Sequence, residues 1–156
     1  MKFKSIDELK KHVLKSVFDA MNNEVLDVVV EAEQEAIEDV VYGAGEPKIY
    51  QRRRTDGGLQ DPSMMFPVTQ QSGNRVTMTV FNMAPYNGRS DFLDKPVSDG
   101  LAETIEFGIE DNYDAGSGWW SQPRPFTESA VSDLQGSGAH ITALQVGLNR
   151  RGIQTK

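Results

Sequence analysis

A chain of 156 residues with 38% hydrophobic content is long enough to bury roughly 70% of its unfolded surface in one core and too short for two, so one domain over residues 1–156 is expected. Cysteine is absent, which excludes a disulfide framework, a thiolate nucleophile and cysteine-based zinc sites. The net charge of -7 argues against a general nucleic-acid binder, because such proteins neutralise phosphates with clustered Lys and Arg.

The N-terminus is basic, but no apolar run of signal-peptide or membrane-span length follows it, so no membrane association is expected. Ser5 and Glu8 form a Ser-x-x-Glu capping box, in which the hydroxyl accepts from the Glu8 amide and the carboxylate reaches back to the Ser5 amide. No Pro or Gly follows until Gly43, and Gly43-Ala44-Gly45-Glu46-Pro47 joins a C-cap glycine to a proline stop. The span predicts one helix over about residues 6–42, on the order of 55 Å long at ~1.5 Å per residue.

Three faces of that helix differ. Leu14, Phe18, Met21, Val25, Val28, Ala32, Ala36 and Val40 recur at steps of three and four and form an apolar stripe that faces a core. A second stripe, Leu26, Val30, Ile37 and Val41, makes the C-terminal half apolar on two sides. Either the helix is sunk deep in its own domain, or this stripe is a subunit interface. The third face carries Glu24, Asp27, Glu31, Glu35 and Glu38. Like charges four apart cost a few tenths of a kcal/mol per pair, so an acidic stripe without Lys is either a solvated face or one that meets a partner or repels DNA.

Charge comes in blocks. Residues 16–47 carry nine acids and no Lys or Arg, whereas residues 48–54 carry Lys48, Arg52, Arg53 and Arg54. This basic block is open to three readings: pairing with the acidic stripe of a neighbouring subunit, a solvated loop, or weak contact with a DNA backbone.

Beyond the helix, residues 64–69 and 75–83 are β-prone, and Val76, Met78 and Val80 alternate with Thr77 and Thr79, which reads as a hairpin. Residues 84–100 hold two Pro and two Gly and form a long loop. Residues 101–109 read as another strand and Trp119-Trp120 as part of a last one, giving about four antiparallel strands over residues 64–122. A helical region over about 127–151 follows, with Thr127 as N-cap, Gly136 and Gly138 weakening its middle and Gly152 closing it.

The chemistry of a catalyst is sparse. His12 and His140 lie in no metal-ligand spacing. Glu31, Glu35 and Glu38 could hold a divalent cation only with help from another helix. Gly57-Gly58 lacks the rest of a Walker phosphate loop. No enzyme activity, cofactor, metal or small-molecule substrate is expected. A small metal-dependent enzyme using the carboxylate stripe is the rival of another class.

Two signatures carry more information. Residues 50–61 read Tyr-Gln-Arg-Arg-Arg-Thr-Asp-Gly-Gly-Leu-Gln-Asp, and Arg124-Pro125-Phe126 stands between Trp119-Trp120 and the closing helix. The order of a long helix, Tyr50, Arg54, Thr55, Gly57, Gly58 and Leu59, a hairpin, Ile105-Glu106-Phe107-Gly108, and then Arg124, Pro125 and Phe126 resembles the small tail-completion or head-tail joining proteins of long-tailed bacteriophages. Two departures are the inserted Asp56 and Pro62 after Asp61. The resemblance implies a structural virion protein of the neck, a minor tail component that joins head to tail or completes the tail end. It would do so as a homo-oligomeric ring around the DNA channel, assembled in the host bacterial cytoplasm. Its partners would be itself and neighbouring head and tail proteins, with DNA passing without sequence-specific binding. A tail terminator, head-side stopper or minor capsid protein is the alternative. The expected fold is α+β: the N-terminal and C-terminal helices packed on the sheet, with two long loops, residues 43–63 and 84–100.

Overall fold

The computed structural model describes residues 3–45, 53–85, 101–108 and 122–155. The fold is α+β, built on one long helix. Four segments follow one another without a break: α1 (Ile6–Ala20), a π-helical turn (Met21–Val25), α2 (Leu26–Ala36) and a second π-helical turn (Ile37–Tyr42). The junction residues Met21, Leu26 and Ile37 all keep right-handed helical dihedrals. At the N-terminus the Ser5 hydroxyl accepts from the Glu8 amide at 3.1 Å, but the Glu8 carboxylate accepts from the Lys4 amide at 2.7 Å and not from Ser5. No described helix is long and apolar enough to cross a membrane.

The first π turn has a local cause. A turn that closes five residues back leaves carbonyls without their usual partners. Here the Asn22 and Asn23 side-chain amides donate to the carbonyls of Phe18 (2.9 Å) and Asp19 (2.6 Å), four residues back in each case. The consequence is a shift of phase. The inward ridge runs Ser16, Ala20, Val25, Val29, Glu33, Ile37, Tyr42, and its two five-residue steps fall at the π turns; all but Val29, which is half-buried, are buried. The stripe expected from uniform 3.6-residue spacing is corrected accordingly: of its eight members Val25 and Ala36 are buried, while Leu14, Phe18, Met21, Val28, Ala32 and Val40 are half-buried.

β1 (Met65–Ser72) and β2 (Arg75–Asn82) form an antiparallel ribbon with Ser72 opposite Arg75, so the connection is the two residues Gly73-Asn74. Gly73 has φ +59° and Asn74 does not share it, the pattern of a turn with glycine at its first central position. The ribbon is shorter in sheet terms than the expected four strands: among the described residues the sheet has two.

The segment expected as a third strand is instead α3 (Leu101–Phe107). Leu101, Ala102 and Ile105 stand at helical offsets and face the core. Gly108 follows with φ +73°, a left-handed residue after a helix, which favours glycine. The C-terminal region is two helices, α4 (Phe126–Ser137) and α5 (Ala139–Arg150), separated by Gly138 at φ 65°. α5 ends in a Schellman motif, with Ile153 donating to the Leu148 carbonyl and Gly152 to that of Asn149, both at 3.0 Å.

These parts make three layers. The long helix lies in the middle, the ribbon covers one side, and α4 and α5 cover the other. Thr69 of β1 donates to the Asn22 side chain at 2.8 Å. On the other side α5 crosses closely enough that a Cβ on Gly147 would lie 2.7 Å from that of Ala20. The core lies at the C-terminal end of the long helix, where Ile37, Val41, Leu59, Met65, Ile105, Phe126 and Ala130 meet.

Candidate functional site

The two sequence signatures converge on this end of the long helix. In the first, Arg54 takes φ 44°, a conformation a non-glycine residue adopts only where its surroundings hold it. Its guanidinium donates to both Glu38 carboxylate oxygens, at 3.1 and 2.9 Å, and stands 4.9 Å from the centre of the Tyr42 ring. Arg53 donates to the Pro85 carbonyl at 2.6 Å. Gly57 has φ +67°, and a Cβ on Gly58 would fall 2.4 Å from the Arg54 carbonyl oxygen, so both glycines are demanded by the backbone.

Leu59 is then carried into the core, 2% exposed. Gln60 and Gln34 exchange side-chain-to-carbonyl hydrogen bonds of 3.0 and 2.6 Å, and Gln60 also donates to Glu38. Asp61 closes the loop, accepting from the Ser63 hydroxyl and amide and from the Gly57 amide. These donors, the Ser63 hydroxyl foremost, hold its carboxyl below the usual value. Asp61 also caps the short 3-10 turn Pro62–Met64 that leads into β1, which is how Pro62 fits after it.

In the second signature α3 and α4 are stitched together. Arg124 donates its amide to the Ile105 carbonyl at 2.9 Å. α4 starts at Phe126, not at Thr127, and its N-cap position is Pro125, which offers no side-chain acceptor. The missing acceptor comes from α3: the Glu106 carboxylate accepts from the Thr127 amide at 3.0 Å. A carboxylate there also meets the positive end of the helix. Phe126, 1% exposed, anchors the junction in the core.

Between the two signatures lies a group that periodicity did not single out. Glu33 is 8% exposed and accepts from the Asn82 amide at 2.9 Å. Asn82 also donates to the Leu59 carbonyl and accepts from the Ala84 amide, tying the end of β2 to the loop. Burial pushes the Glu33 carboxyl above its usual range; the Asn82 hydrogen bond opposes this and the Glu106 carboxylate adds to it. The available signal was its place on the four-step line from Val25 through Val29 to Ile37, two positions from both Glu31 and Glu35 of the acidic stripe.

The acidic stripe divides. Glu24 is claimed by Arg151 (2.9 Å) and Arg150 (3.3 Å) at the end of α5. Desolvation raises its carboxyl, but its hydrogen bonds and the two arginines outweigh that and hold it below the ordinary value. Glu38 is claimed by Arg54. Asp27, Glu31 and Glu35 remain exposed, and among the described residues their side chains have no hydrogen-bond or ion-pair partner. Glu31 and Glu35 line a groove of about 700 Å³ between the long helix and the α4–α5 turn.

The expectation that the second apolar stripe awaits a neighbour is corrected for Ile37 and Val41, which are 0% and 3% exposed within the chain itself. Loop, ribbon and α4 cover them. Leu26 and Val30 are half-buried. Arg54, in the block left open to a neighbour's acidic stripe, a solvated loop or DNA, pairs with Glu38 of its own chain. Lys48, Tyr50, Arg52 and the Trp119-Trp120 pair lie outside the described residues, as does most of the long loop expected over residues 84–100. Thr55 is exposed. Among the described residues no three His, Asp or Glu side chains stand close enough to hold a metal ion.

Compared with known protein families, residues 5–150 match the family described as YomN. No curated protein and no solved structure matches the chain.

Proposed function

The chain belongs to the YomN family, a phage-associated family, and from that membership we propose that it is a structural virion protein of the phage neck. It joins head to tail or completes the tail end, as a ring of identical copies around the DNA channel, assembled in the host bacterial cytoplasm. Its partners are its own copies and the head and tail proteins on either side, with DNA passing nearby without sequence readout.

The observation that supports this reading is what the signature residues do. Gly57, Gly58 and Leu59 are backbone and core requirements, and Arg54, Asp61, Glu106 and Phe126 are ties between segments. A family signature spent on holding a loop and a helix junction in register belongs to a protein whose product is a surface.

The test is removal of the gene from the phage genome that encodes it, with electron microscopy of the lysate. Filled heads and separate tails are expected, restored to joined particles by the protein supplied in trans. Joined, infectious particles formed without the protein would refute the proposal.

A further inference from the structure

Two outward faces on opposite sides of the long helix complement each other. On the ribbon, alternate residues turn inward, and the outer face presents Phe66 and Phe81, directly opposite one another, with Val68 and Met83. These four are 52%, 49%, 43% and 59% exposed. From Pro62 to Met83 the one charged residue is Arg75, in a chain that is 25% charged. Arg75 stands beside the turn, exposed, and among the described residues its side chain has no hydrogen-bond or ion-pair partner. Soluble proteins guard ribbon edges with charge. Here Pro67 removes one donor from β1 and nothing guards β2, and neither edge is paired among the described residues. An uncharged apolar face of this kind is one that becomes covered.

The opposite side offers what this face lacks. The groove between the long helix and the α4–α5 turn is lined by Glu31, Glu35 and Asp133 and by the small residues Ala32, Gly136 and Ala139, with no Lys or Arg among its lining. Among the described residues the Asp133 side chain, like those of Glu31 and Glu35, has no hydrogen-bond or ion-pair partner. Val131, Ile141 and Val146 on the same pair of helices are 47%, 54% and 41% exposed.

We propose that these two faces meet between copies of the chain: the outer face of one copy's ribbon packs on the α4–α5 face of the next and carries Arg75 to Glu31, Glu35 and Asp133. This takes from the proposed function only that the protein works as several copies. The charges are complementary, which fixes register as well as attraction. The faces lie on opposite sides of the subunit, so the contact is head-to-tail, the kind that closes into rings. Size favours it too. The ribbon is roughly 27 Å by 10 Å, well short of the ~800 Å² per partner of a stable interface. Ribbon stacked on ribbon would stay that small and leave the groove carboxylates without a cation; the head-to-tail contact adds the tip and the groove.

The chain has no cysteine, which makes the test direct. Two exposed serines that leave the charges in place are changed separately, Ser72→Cys opposite Arg75 and Ser132→Cys in the groove lining, and the purified variants are treated with a short bis-maleimide, with Asp7→Cys as a control. A mixture of the Ser72 and Ser132 variants is expected to give cross-linked dimers, neither variant alone, and the double variant a ladder of higher multimers. Arg75→Glu should weaken self-association about tenfold or more, and adding Glu35→Arg to the same chain should restore it. Cross-linking of Ser72→Cys to itself would show that ribbons pair face to face and overturn the proposal. So would a mixture that fails to cross-link. The readout needs no particle: absence of the protein from phage necks would sink the proposed function and leave this contact standing, and the reverse holds for failed cross-linking.

Discussion

Gly147→Ala would place a methyl carbon 2.7 Å from the Cβ of Ala20 and 2.8 Å from a carboxylate oxygen of Glu24. Carbon atoms in contact sit about 3.5–4.0 Å apart, so α5 must withdraw from the long helix by roughly 1 Å or Glu24 must move. Glu24 is not free to move, because Arg151 holds it at 2.9 Å and itself donates to the Gly147 carbonyl at 2.6 Å. Overpacking of this kind costs about 1–3 kcal/mol, and the better helix propensity of Ala returns about 0.8–1 kcal/mol. The expected balance runs from near zero to a loss of about 2 kcal/mol, or up to roughly 8 °C in the unfolding midpoint of a chain this size. Gly136→Ala is the internal reference: no atom lies within 4 Å of its added Cβ, so only the propensity term acts and the midpoint should rise by about 2–4 °C. Thermal unfolding followed by circular dichroism measures both. A midpoint for Gly147→Ala raised as far as that of Gly136→Ala would refute the close crossing of α5 over Ala20.

Glu33 holds a proton more readily folded than unfolded, so stability should rise as pH falls from its raised folded pKa toward the ordinary value of 4.5. Glu33→Gln keeps an acceptor for Asn82 and removes the buried charge; it should raise the midpoint at neutral pH by a few degrees and flatten the stability profile across that window. An unchanged pH slope would show that the carboxylate is hydrated in the folded protein. Phe126→Ala should cost about 3–5 kcal/mol and lower the midpoint of the isolated protein before any effect on assembly; an unaltered melting curve with failed assembly would make Phe126 a docking residue.

Local chemistry determined a good deal. A capping residue, a run without Pro or Gly and the Gly43 stop set the long helix from Ile6 to Tyr42. Alternation with Gly73 set the hairpin, and Gly138 and Gly152 set the break and end of the C-terminal helices, because each of these signals acts over a few residues. What only the tertiary structure decided are the features whose cause lies elsewhere in the chain. Leu101–Phe107 is a helix and not a strand because Ile105 and Leu101 are drawn together onto the same core and Glu106 is needed at the start of α4. Two apolar stripes on one helix do not say whether the second is covered by a neighbour or by the same chain; the ribbon and α4 answer that for Ile37 and Val41. The partners of Glu24 are 126 and 127 residues away, and nothing local foretells them. The burial of Glu33 follows from the π turns, since one extra residue per bulge rotates the inward ridge onto a carboxylate that uniform spacing leaves outside.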